Sequence, residues 1–257
     1  MPAPKVEPRI YTAIVLDFET GGLDCRDCAC TQIAMQAVRI DTWQVLDHYE
    51  RYITPYQKQD IGGTPKRKVL KTRQMLAEEE EGIPMKYEAA ALTYSAITME
   101  MLNLMGTDVK TVATDVIEFA RKNTLSKGKQ CKPILIGQNI TFDVGFLQQL
   151  VAYAGLTKEF EKVFAGDLDF YGNFQPKYLD TIHLGRMALC HLPDVTSYKL
   201  EILSERLGIE LDDAHDAAAD VTATLQVAAV CASRLRQEGG ENRVIQQNEK
   251  TRAHFKI

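Results

Sequence analysis

The sequence contains no long hydrophobic segment and no apolar N-terminal stretch. Its apolar runs are short, such as residues 227–232, whereas a membrane-spanning helix needs about 20 apolar residues. The first ten residues, MPAPKVEPRI, lack the apolar core of a secretory signal peptide. These absences predict a cytoplasmic protein without a membrane partner, in which the six cysteines are reduced thiols.

An excess of positive charge is also absent. The 257-residue chain has a formal net charge of −5, which argues against a protein that coats nucleic acid through charge alone. It does not exclude an enzyme with an acidic metal pocket, because bound divalent cations reverse the local sign of the charge. With 45% hydrophobic residues, the chain is expected to bury an ordinary globular core.

The pattern of apolar residues predicts an α/β fold, with a mixed five-stranded sheet flanked by helices. Three β-branched and aromatic segments come first, and a short turn between the second and third is typical of antiparallel strands. Strands and helices then alternate, as they do around parallel strands. Thr107 is expected to cap the first long helix and Gly155 to end the second. The predicted strands are 10–18, 32–41, 44–53, 132–139 and the start of 178–190; the predicted helices are 107–122, 142–155, the rest of 178–190, 197–208 and 215–236.

A charged segment interrupts this pattern. We predict one domain over residues 10–235, an extended arm at 1–9, a polar tail at 236–257 and a charged insertion at about 56–90. Pro65 stands where a helix can begin and Gly82 where it can end. Basic residues precede acidic ones, which opposes the helix dipole, so an exposed helix and a mobile lobe both stay open. The basic end could face an anionic partner, although a solvated charged face is the simpler interpretation.

Four acids stand at the ends of predicted elements, beside apolar runs. Asp17 and Glu19 are two residues apart at the end of the first strand, so their side chains point to the same side. Asp143 lies at the start of a predicted helix, and Asp220 lies within the last one. Oxygen ligands of this kind suit a hard cation such as Mg²⁺ or Mn²⁺. Taken singly, each acid has a simpler explanation as a helix cap or a solvated charge.

His215 precedes Asp220 by five residues and lies near the start of the same predicted helix. A lone histidine at a helix start is weak evidence for chemistry. If Asp220 holds a metal ion, however, His215 is placed to reach a water beside that ion. A neutral imidazole can accept a proton near pH 7, so His215 becomes a candidate general base.

Three segments resemble, in order, the motifs of the DEDDh 3′–5′ exonucleases, which form the DnaQ-like branch of the ribonuclease-H-like fold. They are LDFETGGLD at 16–24, QNITFDVGFL at 138–147 and HDAAADVTATLQV at 215–227. Three motifs in register with the expected elements are far more specific than one, and the similarity covers about residues 10–234. The chain departs from the family pattern with Gln138, where members often carry His or Ala, and with Val221 instead of Ala.

The resemblance implies a reaction and a set of site residues. Two Mg²⁺ or Mn²⁺ ions would be bound by Asp17, Glu19, Asp143 and Asp220, with Asp17 bridging and His215 as general base. The enzyme would take a single-stranded or frayed 3′ end of DNA or RNA and release nucleoside 5′-monophosphates. Contacts to the terminal nucleotide would come from Thr20, Leu23, Asn139 and Phe146.

The resemblance leaves the biological substrate and the partner open. Proofreading as a DNA polymerase subunit, DNA repair and RNA trimming by an exoribonuclease all fit. A non-catalytic nuclease-fold binding module is disfavoured, because all five functional residues are present. The C-terminal tail could dock on a polymerase, although a frayed end is the simpler interpretation.

A cluster of thiols follows the first motif. Cys25, Cys28 and Cys30 form Cys-x-x-Cys-x-Cys, and Cys190–His191 offers further ligand types for zinc. The second cysteine pair that usually completes a zinc site is missing. We therefore predict that these thiols are bystanders in the loop after the first strand.

Overall fold

The computed structural model describes residues 9–59, 82–211 and 216–238, and a five-stranded mixed sheet forms its centre. The strands are β1 Thr12–Thr20, β2 Cys30–Arg39, β3 Val45–Tyr52, β4 Ile134–Gly137, β5 Gly166–Leu168, β6 Phe174–Pro176 and β7 Tyr178–Asp180. The strand order is β3-β2-β1-β4-β7, in which β2 pairs antiparallel with β1 and β3, whereas β4 runs parallel to β1 and β7. A separate hairpin of β5 and β6 precedes β7. The predicted fold class is therefore confirmed.

Helices cover both faces of the sheet. One face of β1, including Ile14 and Leu16, packs in a core with the third and fourth described helices. The other face, including Ala13 and Val15, packs against the last helix. The described helices are α1 Ala89–Tyr94, α2 Met99–Met105, α3 Val109–Lys122, α4 Ile140–Tyr153, α5 Thr157–Val163, α6 Thr181–Leu189, α7 Leu200–Leu207 and α8 Ala217–Glu238.

The alternation of side chains along β1 determines where a site can form. Ala13 and Val15 face α8, and successive side chains of a strand alternate between its faces. Asp17 and Glu19 continue the same set of odd-numbered residues and therefore point toward α8. The register that buries the apolar half of β1 thus carries both carboxylates to the edge where α8 begins.

The cap of α3 differs from the prediction by one residue. Asp108, not Thr107, is the N-cap, and its Oδ1 accepts a hydrogen bond of 3.0 Å from the Thr111 backbone N–H. Thr107 instead continues an extended segment, since its backbone N–H donates to the Tyr52 carbonyl at 2.8 Å. Aspartate and threonine both suit an N-cap, so pairing with the end of β3 decided between them.

Several short elements were not predicted, and one predicted helix lies outside the described residues. The sequence pattern did not reveal α1, α2, α5 or the β5–β6 hairpin, whose lengths of three to seven residues are too short for a clear period. The predicted helix between Pro65 and Gly82 falls almost entirely on residues 60–81, which lie outside the described part of the chain. The arm at 1–8 and the tail from 239 onward also lie outside it.

Candidate active site

Three of the predicted metal-binding acids come together at the end of β1. Carboxylate oxygens of Asp17, Glu19 and Asp220 all lie within 4.8 Å of one another. Over the described ranges, this is the one group of three or more His, Cys, Asp or Glu side chains arranged in this way. The first two acids come from the C-terminal end of β1 and the third from the first turn of α8. The structure therefore joins residues that are about 200 positions apart in the sequence.

The acids strongly disfavour one another's charge. Burial is the main cause that raises the pKa of Asp17 from 3.8 to about 7, followed by the charges of Asp220 and Asp216. Burial also raises the pKa of Glu19 from 4.5 to about 8, with Asp17 as the next cause. A bound cation would remove this penalty, because it offsets the negative charge and replaces lost solvent. Three convergent, half-buried carboxylates therefore fit a hard divalent cation in both donor type and charge.

Asp143 supports the strand from the neighbouring helix. It lies in the first turn of α4 and is only 3% exposed. Its Oδ1 accepts a 3.0 Å hydrogen bond from the backbone N–H of Phe18, the residue between Asp17 and Glu19. Burial raises the pKa of Asp143 well above its usual value and the Asp17 charge adds to this, while the Phe18 N–H opposes it. Asp143 thus fixes the backbone of β1 beside the other acids, and its role as a metal ligand stays a prediction.

The start of α8 is tied to the sheet by a residue that the sequence pattern did not reveal. Gln32 of β2 lies opposite Glu19 in the strand pairing and is almost fully buried. Its Nε2 donates to Glu50 Oε1 and to Asp216 Oδ1, both at 2.9 Å. One signal was available, since a polar residue interrupts the apolar strand CTQIAMQAVR. His215 itself lies outside the described residues, so its role as general base stays a prediction.

A cavity of about 920 Å³ opens above the acids. Its wall includes Thr20, Leu23 and Asn139, three of the four residues predicted to contact the terminal nucleotide. The prediction that Phe146 contacts the nucleotide needs correction, because this residue is 0% exposed and belongs to the core. Phe142, one helical turn earlier, forms the wall, and its ring centroid lies 4.9 Å from that of Phe146.

The tight passage after β1 shapes one side of this cavity. The backbone N–H of Glu88 donates to the Gly21 carbonyl at 2.7 Å. A Cβ atom on Gly21 would come within 2.5 Å of the Lys86 carbonyl oxygen, so a larger residue would push the two segments apart. Segment 86–88 is thereby held against the loop that carries Leu23, which is 85% exposed at the cavity.

The thiols after this passage do not join the acidic group. Cys28 and Cys30 are buried and Cys25 is half-buried. The Cys30 Sγ lies 3.8 Å from the Phe146 carbonyl and 3.9 Å from Gln149 Oε1. Within the described residues, the convergent metal-ligating group contains carboxylates alone, and the prediction about zinc stays untested.

The fold and the acidic site together define a nuclease with a ribonuclease-H-like architecture. The sheet has three antiparallel and two parallel strands between helices, and the carboxylates meet at the end of its central strand. A model of the RNase T exonuclease family matches residues 83–228, which is more than half of the chain. The protein belongs to this exonuclease family, and the resemblance to DnaQ-like exonucleases is confirmed.

Solved structures of exonuclease I share the fold. One, described as suggesting how processivity is achieved, is 19% identical with a TM-score of 0.61, over 88% of this chain and 42% of that one. A complex of the Escherichia coli enzyme with a dT13 oligonucleotide is also 19% identical, with a TM-score of 0.57, over 89% of this chain and 42% of that one.

Two curated relatives are bacterial DNA polymerases III of the PolC type. The Clostridium perfringens protein is 23% identical over 237 residues, covering 92% of this chain and 12% of the relative. The Bacillus cereus protein is 25% identical over 213 residues, covering 83% and 11%. The chain therefore spans about one eighth of the curated relatives that it matches. No helix in the described ranges is long and apolar enough to cross a membrane.

Proposed function

We propose that the protein is a divalent-metal-dependent 3′–5′ exonuclease that releases nucleoside 5′-monophosphates from single-stranded DNA. The convergence of Asp17, Glu19 and Asp220 at the floor of a large open cavity carries this proposal. Phosphodiester hydrolysis builds negative charge on the phosphoryl oxygens and on the leaving group. A site that concentrates carboxylates under a cavity suits this reaction, because it can hold the cations that offset such charge.

Each residue has a separate task in the proposed mechanism. Asp17, Glu19 and Asp220 would hold two Mg²⁺ or Mn²⁺ ions, with Asp17 shared between them. When bound, these ions would stabilise the charge on the reacting phosphate and acidify the attacking water. Asp143 holds the Phe18 N–H and thereby the spacing of the acids on β1. His215 would take the proton of the attacking water.

DNA is the favoured substrate because of the relatives. The PolC-type relatives are DNA polymerases, and exonuclease I of the same fold has been solved with DNA oligonucleotides. On this basis we also propose that the protein acts beside a DNA polymerase, where it would remove mismatched 3′ ends. Preference for RNA would instead indicate an RNA-trimming exoribonuclease.

The test is a digestion of matched substrates. Purified protein is incubated with Mg²⁺ or Mn²⁺ and 5′-labelled single-stranded DNA, single-stranded RNA, or a primer–template with a paired or mismatched 3′ end. We expect stepwise shortening from the 3′ end of DNA, and faster cleavage of the mismatched primer. Removal of the metal with EDTA should stop the reaction.

Paired variants separate catalysis from general effects of charge. Asp17→Asn should abolish cleavage, whereas Asp41→Asn should leave it unchanged. Asp41 is exposed and pairs with Arg39 at 2.6 Å, and Arg39 lies opposite Thr12, at the far end of β1 from the acids. Undiminished cleavage by Asp17→Asn would contradict the proposed site.

A further inference from the structure

A cationic wall lines part of the cavity above the acids. It consists of Arg186 from α6 and of Tyr198 and Lys199 from the segment before α7, all of which line the same cavity as the acids. The Arg186 guanidinium carbon lies 5.2 Å from the centroid of the Tyr198 ring, so the cation stacks on the aromatic face. Neither Arg186 nor Lys199 belongs to an ion pair between described residues.

Gln138, the departure from the family pattern, holds this wall in place. Its Nε2 donates a 2.8 Å hydrogen bond to the Tyr198 carbonyl. Its Oε1 accepts from the Thr181 hydroxyl, which belongs to the first residue of the helix that carries Arg186. One amide side chain at the end of β4 therefore links both parts of the cationic wall. The alanine often found at this position could make neither bond, because it has no polar side-chain atom.

The acids and the cations that they would hold account for the charge at the scissile phosphate. Arg186 and Lys199 belong to other elements that line the same cavity, α6 and the segment before α7. These two cations are therefore available for a further phosphate of the same strand. The cavity's volume of about 920 Å³ is at the upper end of ordinary ligand pockets, roughly 300–1,000 Å³, and leaves room for more than one nucleotide.

We propose that Arg186 and Lys199 bind backbone phosphates upstream of the scissile bond, and that Gln138 is the positioning residue for this subsite. The inference rests on the proposed exonuclease function and specifies how that site recognises a strand. Glu201, two residues after Lys199, also lines the cavity, so the wall carries two cations beside one carboxylate. The ligand is an oligonucleotide of at least two or three residues, not a mononucleotide.

The experiment compares a substrate that has upstream phosphates with one that has none, and each variant is scored by the change in the ratio of the two rates. One is a short oligothymidylate, and the other is the p-nitrophenyl ester of thymidine 5′-monophosphate, which has one phosphodiester and nothing beyond it. We expect Lys199→Met and Arg186→Met each to lower the ratio of kcat/KM for the oligonucleotide to kcat/KM for the ester about tenfold, as for a charged hydrogen bond. Gln138→Leu should lower the same ratio severalfold, mainly through KM.

Binding measured without cleavage supplies a second readout. In EDTA, the affinity for a labelled oligonucleotide is followed by anisotropy at several salt concentrations. Each lost phosphate contact should reduce the slope of log K against log salt by about 0.7, the value for single strands. Lys110→Met, an exposed substitution on α3, is the matched control and should change neither the ratio nor the slope.

The outcomes separate this inference from the proposed function. A lower ratio with a smaller salt slope in the Lys199 and Arg186 variants would support it. An unchanged ratio, or equal losses on both substrates, would overturn the upstream subsite while leaving the exonuclease intact. Wild-type protein that cleaves neither substrate would instead contradict the proposed function. If Gln138→Leu fails to fold, the exposed Lys199 and Arg186 variants still decide the question.

Discussion

Asp17→Asn should stabilise the metal-free protein while abolishing its activity. Burial and the neighbouring carboxylates raise the pKa of Asp17 from 3.8 to about 7. In the window between these values, the folded protein binds more protons than the unfolded chain does. The free energy of unfolding therefore falls as pH rises through that window. Above the window, the charged Asp17 carboxylate destabilises the folded protein.

The size of the stabilisation by Asp17→Asn follows from the shift in the pKa of Asp17. A change of about three pKa units corresponds to about 4 kcal/mol at 1.36 kcal/mol per unit. Part of that penalty remains in the variant, because the other acids are still buried together, so we expect a gain of about 2 kcal/mol. For a chain of this size, that gain raises Tm by roughly 4–8 °C.

The assay is thermal unfolding in EDTA at several pH values, with and without Mn²⁺. At pH 8 without metal, Asp17→Asn should melt above the wild type, and at pH 3 the two should nearly coincide because Asp17 is then largely protonated in both the folded and the unfolded state. Saturating Mn²⁺ should reverse the order at pH 8, because a ligand at about 100 times its Kd stabilises the folded state by about 2.7 kcal/mol.

The control is a substitution of an exposed, paired aspartate far from the site. Asp41→Asn should lower Tm slightly or leave it unchanged, since pairing with Arg39 holds the pKa of Asp41 below its usual value. An Asp17→Asn variant with the same or lower Tm at pH 8, or with a gain of full size at pH 3, would refute the electrostatic account of the site.

Three further predictions concern the neighbouring groups. Because the pKa of Asp17 is about 7 and that of Glu19 about 8, protons compete with the cation, so Mn²⁺ affinity measured by calorimetry should rise from pH 6 to pH 8.5; a flat profile would contradict this. Asp143→Ala should destabilise the protein by about 1–3 kcal/mol, because it leaves the buried Phe18 N–H without an acceptor; Asp143→Asn should retain most of that stability in denaturant titrations, and equal losses would argue against the bond. His215→Ala should lower turnover by about 10²–10⁴-fold with Mn²⁺ affinity retained, and a rate close to that of the wild type would exclude His215 as general base.

Local patterns predicted the parts of the site that depend on one element at a time. The two-residue spacing of Asp17 and Glu19 was sufficient to place both on one side of β1. The resemblance then assigned Asp220, already a candidate, to the same metal site, and packing of α8 on that face of the sheet brings it within reach. Phe146 was predicted to line the cavity because its position in the motif does not show how deeply its side chain is buried. One helical turn separates it from Phe142, and that turn carries its ring into the core.

Residues that act across elements could not be predicted in this way. Arg186 and Lys199 have no spacing relation to the acids, and they reach the cavity because α6 and α7 pack against α8. Gln32 and Gln138 look like ordinary polar residues until their hydrogen-bond partners, which are 184 and 60 positions away, are known. Such roles come from tertiary packing, which a single sequence does not specify locally.

The fold around β1 has to be rigid because the carboxylates of the site repel one another. Carboxylates whose pKa values are raised this far would move apart if the backbone allowed it. β1 has paired strands on both sides, Asp143 holds its Phe18 N–H, and Gln32 holds the start of α8 through Asp216. Two of these restraints act on β1 and the third acts at the start of α8, the elements that carry the convergent acids. The fold therefore keeps the metal ligands together before any cation binds, and part of its stability is used to maintain a site that is unfavourable without one.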